Sequence, residues 1–117
     1  MFIYGVYFPY FMMKQIEDLE TLLSQISSDR GRAFAIKLLV RKVDIPQTQI
    51  DYAINFYEKS GQFLDAAEVA KEVGMTERAV DNYENAGRFE DAANVAKQVG
   101  MTERARAYQT LADLIKG

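Results

Sequence analysis

Residues 53–78 read AINFYEKSGQFLDAAEVAKEVGMTER, and residues 79–104 read AVDNYENAGRFEDAANVAKQVGMTER. Aligned end to end, the two rows agree at about 17 of 26 positions, far beyond what composition alone gives. A fixed period between roughly 20 and 50 residues marks a stacked repeat architecture. In such a stack each unit buries its apolar face on its neighbours and offers its remaining faces to partners.

Each copy divides into two helices. Ile50, Ala53, Ile54 and Tyr57 lie at i, i+3, i+4 and i+7, an apolar stripe on one helix face, and Thr76, Ala79, Val80 and Tyr83 repeat it. Gly61 and Gly87 then stop the helix, because glycine enters the left-handed C-terminal conformation without a Cβ clash. The second helix carries Phe63, Ala66, Ala67, Ala70 and Val73, repeated as Phe89, Ala92, Ala93, Ala96 and Val99. Asp65 and Asp91 fall in its first turn, where a carboxylate suits the helix dipole. Gly74 and Gly100 end it, and Thr76 and Thr102 are expected as N-caps of the next helix.

The run Tyr57, Gly61, Phe63, Ala66, and again Tyr83, Gly87, Phe89, Ala92, resembles the helical hairpin of the tetratricopeptide (TPR) family. The resemblance covers about half the chain. The period is shorter, 26 residues against about 34 in that family, and the usual tryptophan and closing proline are absent. It implies a shortened TPR-like unit and a general use in protein binding; no shared catalytic residues come with it.

Outside the duplication, residues 14–27 predict a helix, with Ile16, Leu19, Leu22, Leu23 and Ile26 on one face. Ser28 to Gly31 is a turn in which Asp29 can cap the following helix. That helix, over 32–43, holds Phe34, Ile36, Leu38, Leu39, Val40 and Val43, apolar around more than half its circumference and therefore expected between neighbours. Asp44-Ile45-Pro46 breaks the chain, and a helix runs from Pro46 to Ser60. Thr102 opens a third copy in which Gln109 replaces the tyrosine and Asp113 the turn glycine, so this helix continues to about Ile115 and closes the stack. The expected fold is all-α: a short right-handed α-solenoid of antiparallel hairpins, about seven helices over residues 14–117.

Residues 1–13, MFIYGVYFPYFMM, form a separate segment. It holds six of the chain's fourteen aromatics and no charge. It is too short to span a bilayer as a helix and lacks the basic start and cleavage site of a signal peptide. Loose ordering, packing on the first hairpin and interfacial anchoring remain open for it, as does a natural start at Met12 or Met13.

The composition excludes several functions. A net charge of −3 and a pI near 5.0 oppose nucleic-acid binding, which rests on Lys and Arg against phosphates. With no Cys and no His there are no disulfides, no usual zinc sites, and no nucleophile or base of either type. No cofactor is expected, a cytoplasmic location suits the absence of cysteine, and a membrane role lacks support. Advancing 100° per residue from Ile50 puts Asp51, Asn55 and Glu58 on one flank of the apolar stripe. Glu77, Asp81 and Glu84 take that flank in copy two, and Glu103 in the last helix. These residues form either a solvated acidic face or rows that attract a basic segment of another protein. Arg78 and Arg104 are expected in solvent, or paired with Glu residues of the neighbouring repeat for less than about 1 kcal/mol. The reading is therefore a non-enzymatic interaction module, a scaffold or adaptor, with homo-oligomerisation left open. The alternative is a regulatory or capping subunit of an enzyme or membrane complex that docks through the aromatic N-terminus.

Overall fold

Glycine-stopped helices follow one another along the chain. The structure, a computed structural model, describes residues 19–117, and among these there are helices and turns but no strand. Residues 19–24 are helical. Six helices follow: α1 (Asp29–Leu39), α2 (Gln47–Lys59), α3 (Phe63–Glu72), α4 (Thr76–Asn85), α5 (Phe89–Gln98) and α6 (Thr102–Lys116). The all-α expectation holds over these residues. The aromatic stretch 1–13, and residues 14–18 of the first expected helix, lie outside the described residues.

The turns explain the period. Gly61, Gly74, Gly87 and Gly100 all have positive φ, between 73° and 83°. At each one the amide of the following residue reaches back five positions: Gln62 to the Tyr57 carbonyl at 2.8 Å, Met75 to Ala70 at 2.8 Å, Arg88 to Tyr83 at 2.9 Å and Met101 to Ala96 at 2.9 Å. The glycine amide itself bonds three positions back, for example Gly87 to Glu84 at 3.0 Å. This Schellman closure satisfies the last carbonyls of one helix and starts the next helix two residues after the glycine.

That economy corrects the expected caps. Thr76 and Thr102 are the first helical residues of α4 and α6, one place too late to be N-caps; Met75 and Met101 hold that position without a side-chain bond. The threonine hydroxyls point back to the Gly74 and Gly100 carbonyls, both at 3.4 Å. First-turn carboxylates instead favour the exposed amides: Asp65 in α3, Glu77 in α4, Asp91 in α5 and Glu103 in α6. At α1 the cap is Ser28, whose Oγ accepts from the Gly31 amide at 3.0 Å, and Asp29 is the first residue of the helix.

Each helix packs on the next one in the chain, and α1 also touches α3. The core alternates large and small side chains. Helix α2 contributes Ile50, Ala53, Ile54 and Tyr57, and α4 contributes Ala79, Val80 and Tyr83. The facing helices bury Ala66, Ala67, Val69 and Ala70 in α3, and Ala92, Ala93, Val95 and Ala96 in α5. Small residues let neighbouring helix axes come close while tyrosine and isoleucine fill the remaining space. Val69 and Val95 are core positions the stripe reading missed, whereas Val99, placed on the stripe, is 48% exposed.

Helix α1 also differs from expectation. Only Ala33 and Ile36 are buried, while Phe34 and Leu38 are 50% and 54% exposed. Its apolar residues surround it, but α2, the edge of α3 and residues 23–26 leave Phe34 and Leu38 half-exposed.

Candidate partner-binding face

The acidic flanks of α2, α4 and α6 form this face, and the repeat supplies both its carboxylates and their cations. Arg78 on α4 reaches back to α2. Its Nε donates to Glu58 Oε2 at 2.9 Å, and its Nη2 donates to Glu58 Oε1 at 2.8 Å and to Asn55 Oδ1 at 2.6 Å. One period later Arg104 on α6 reaches back to α4, where Nη2 donates to Asp81 at 2.8 Å and to Glu84 at 3.3 Å. Asn55 corresponds to Asp81 and Glu58 to Glu84 by the 26-residue step, so the same clamp is built twice.

A third residue completes each clamp. Asn82, 2% exposed, donates from Nδ2 to Glu58 at 2.7 Å and to the Arg78 carbonyl at 3.0 Å. The equivalent residue in the next copy is Tyr108. Its hydroxyl donates to Glu84 and accepts from Arg104 Nη2 at 2.6 Å, while the guanidinium lies 5.5 Å from its ring centre. Asparagine and tyrosine are not alike, so comparing the two copies residue by residue conceals their common task. The signal was their shared place one turn after the arginine.

These contacts move the titrations. The Arg78 hydrogen bond holds Glu58 below its usual carboxylate range, against partial burial, with Asn82 adding to the effect. The Asp81 hydrogen bond raises Arg104, and the Glu58 hydrogen bond raises Arg78. A carboxylate whose folded pKa is depressed stabilises the fold above its unfolded pKa, and that stability is lost as pH falls through the folded value. Glu58→Gln should therefore cost about 1 kcal/mol at neutral pH, the scale of a lost charge-assisted bond. It should also flatten the decline in stability on acidification. Urea denaturation at neutral and acid pH checks this; parallel pH profiles for variant and parent would contradict the clamp.

The face is therefore only partly free. Of the seven residues marked by sequence, Asn55, Glu58, Asp81 and Glu84 are engaged with the arginines. Asp51 accepts from Gln47 Nε2 at 2.9 Å. Among the described residues Glu77 and Glu103 have no side-chain bond or ion pair, and both are exposed. What remains is one outer carboxylate per repeat: Asp51, Glu77 and Glu103. The arginines are thus structural links between repeats, the paired one of the two options the sequence left open.

The opposite side of the hairpins is paired differently. Lys37 on α1 bonds Asp65 at 2.5 Å and Glu68 at 2.9 Å on α3, and Arg41 pairs with Glu72 at 3.2 Å. Burial pulls the Lys37 pKa down, but the Asp65 and Glu68 bonds outweigh it and leave it raised. Tyr52 and Phe56 on α2 are half-buried beneath arginines: Arg32 lies 5.5 Å from the Tyr52 ring centre and Arg30 lies 5.9 Å from that of Phe56. Arg32 also donates to the Leu23 and Ile26 carbonyls at 3.1 and 2.7 Å, tying the first helical residues to α1.

Among the described residues no three His, Cys, Asp or Glu side chains are grouped to hold a metal ion, and no helix is long and apolar enough to cross a membrane. Compared with protein-family models, with curated proteins and with solved structures, the chain gives no match.

Proposed function

We propose that the chain is a non-enzymatic, cytoplasmic protein-interaction module, a short TPR-like right-handed solenoid that holds a basic segment of another protein along α2, α4 and α6. The observation that carries this reading is the outer row. Arg78 and Arg104 lock the inner carboxylates into the stack, while Asp51, Glu77 and Glu103 recur once per repeat with no cation on them among the described residues. Packing dominated by chain neighbours, and a clamp reproduced at the repeat period, support the solenoid. The absence of histidine and cysteine supports the non-enzymatic part. Exposed pairs are individually weak, so the affinity should be micromolar, about −8 kcal/mol, and salt-sensitive.

The test is a fluorescent lysine- and arginine-rich peptide titrated with the protein at low salt. Glu77→Lys with Glu103→Lys should weaken binding about ten-fold or more, because each swap replaces an attraction by a repulsion. Asp44→Lys with Asp113→Lys, two exposed positions off the row with no ion pair among the described residues, should change it less than about two-fold. Equal losses in both variants would reduce the row to general acidity. Glu68 and Glu72 are unsuitable as controls, because Lys37 and Arg41 already hold them.

A further inference from the structure

Among the described residues one groove of the repeat has no helix on it. Helix α3 enters the groove of α1 and α2, so that buried Tyr57 has Asp65 of α3 near it along with Lys37 and Arg30 from the α1 side. Helix α5 packs on α4, and the charged groups acting on buried Tyr83 are Asp91 and Arg88 at the start of α5 and Glu68 of α3. The third groove, between α5 and α6, has no helix in it among the described residues. It is an open cleft of about 300 Å3, lined among others by Ala93, Asn94, Lys97, Ala105, Arg106 and Gln109.

Its chemistry has changed relative to the filled seat. Arg106 and Gln109 stand where α4 has the buried Val80 and Tyr83, and Asn94 stands where α3 has Glu68. An apolar, acid-edged seat has become one with two cations, two amides and no carboxylate lining it. Lys97 and Arg106 are exposed and carry no ion pair among the described residues. The alanine floor still admits a helix at close range. The filled α1–α3 seat shows how cations hold such a helix, with Lys37 on Asp65 and Glu68 and Arg41 on Glu72.

We propose that the α5–α6 groove is a second docking site, for an acidic amphipathic helix of a partner protein that packs small side chains on Ala93 and Ala105 and sets carboxylates against Lys97 and Arg106. This site adjoins the acidic row on α6, where Glu103 stands three residues before Arg106, and takes the opposite charge. The module would then join a basic and an acidic segment.

The probe is a hydrocarbon-stapled, fluorescent peptide of residues 62–74, whose α3 sequence already carries Asp65, Glu68 and Glu72 on a helix with an alanine face. Stapling offsets the marginal helicity of so short a peptide. A second probe has those three carboxylates replaced by lysine. The acidic probe should bind and the lysine probe should not bind in this groove. Lys97→Glu with Arg106→Glu should weaken the acidic probe at least ten-fold, leave the thermal midpoint within a few degrees, and gain affinity for the lysine probe. Asp51→Lys with Glu77→Lys, which change the row on α2 and α4 and leave α6 untouched, should leave acidic-probe binding intact, which separates this site from the basic-segment site. Equal binding of both probes, or indifference to the Lys97 and Arg106 swap, overturns the proposal. So does a self-association in sedimentation velocity that the same swap abolishes and the acidic probe fails to displace, because the occupant would then be a second copy.

Discussion

Truncation of Tyr57 to alanine is expected to remove about 3–5 kcal/mol of stability, the range for deleting a large buried ring. Tyr57 is 2% exposed, and among the described residues it is the largest of the fully buried side chains. It meets the neighbouring Phe56 ring edge-on, with centroids 5.7 Å apart. Most of the buried residues of α1 and α3 are alanines, Ala33, Ala66, Ala67 and Ala70, with Ile36 and Val69, and an alanine cannot extend into the space the ring leaves. The void would therefore persist, and loss of dispersion contacts adds to lost burial. A domain of this size has roughly 5–15 kcal/mol in all, so Tyr57→Ala should be partly unfolded near physiological temperature. Tyr57→Phe isolates the ring: no side-chain bond to the hydroxyl is present among the described residues, and the variant should lie within about 1 kcal/mol of the parent. Urea denaturation followed by circular dichroism measures both. An alanine cost below about 1 kcal/mol would place Tyr57 at the surface and misplace the whole stripe.

The second large effect belongs to the backbone. Gly87 has φ of 74°, and a Cβ built on it meets no heavy atom within 4 Å. Sterics with neighbours therefore contribute nothing, and substitution isolates the left-handed conformation. That conformation costs an L-residue about 1–2 kcal/mol, and a β-branched side chain fits it worst. Gly87→Val should lose about 2 kcal/mol and Gly87→Asn clearly less, since asparagine visits this region. The loss has a second component, because the Arg88–Tyr83 and Gly87–Glu84 bonds that close α4 depend on the turn. Equal stability of the valine and asparagine variants would mean that the turn relaxes to another form.

The duplication made the helices and their stops readable: two rows in register expose the stripe, the glycines and the alanine face together. Periodicity marks which side of a helix is apolar but not how many neighbours cover it. That is why α1 was expected inside and instead leaves Phe34 and Leu38 half-exposed. The caps misled for a local reason: a threonine after glycine has cap-like chemistry, but the Schellman closure moves the helix start by one residue. The helical angle groups Asn55 with Glu58 and Asp81 with Glu84, yet angle alone does not show that an arginine from the next repeat falls on each pair. Arg78 and Arg104 were visible as identical residues, and identity after a duplication says nothing about partners. Asn82 and Tyr108, which complete the clamps, differ in type, and Tyr108 lies beyond the two aligned rows, so comparison of the rows does not reveal them.

The central claim is that the inner carboxylates hold the stack together while the outer row holds a partner. Amide chemical-shift mapping of the isotopically labelled protein during titration with the lysine- and arginine-rich peptide tests it most directly. The account predicts that the perturbed amides cluster around Asp51, Glu77 and Glu103 on successive first helices. The Arg78 and Arg104 side-chain signals should stay in their bonded positions. Perturbations centred on Glu68 and Glu72, or release of Arg78 from Glu58 on binding, would contradict it.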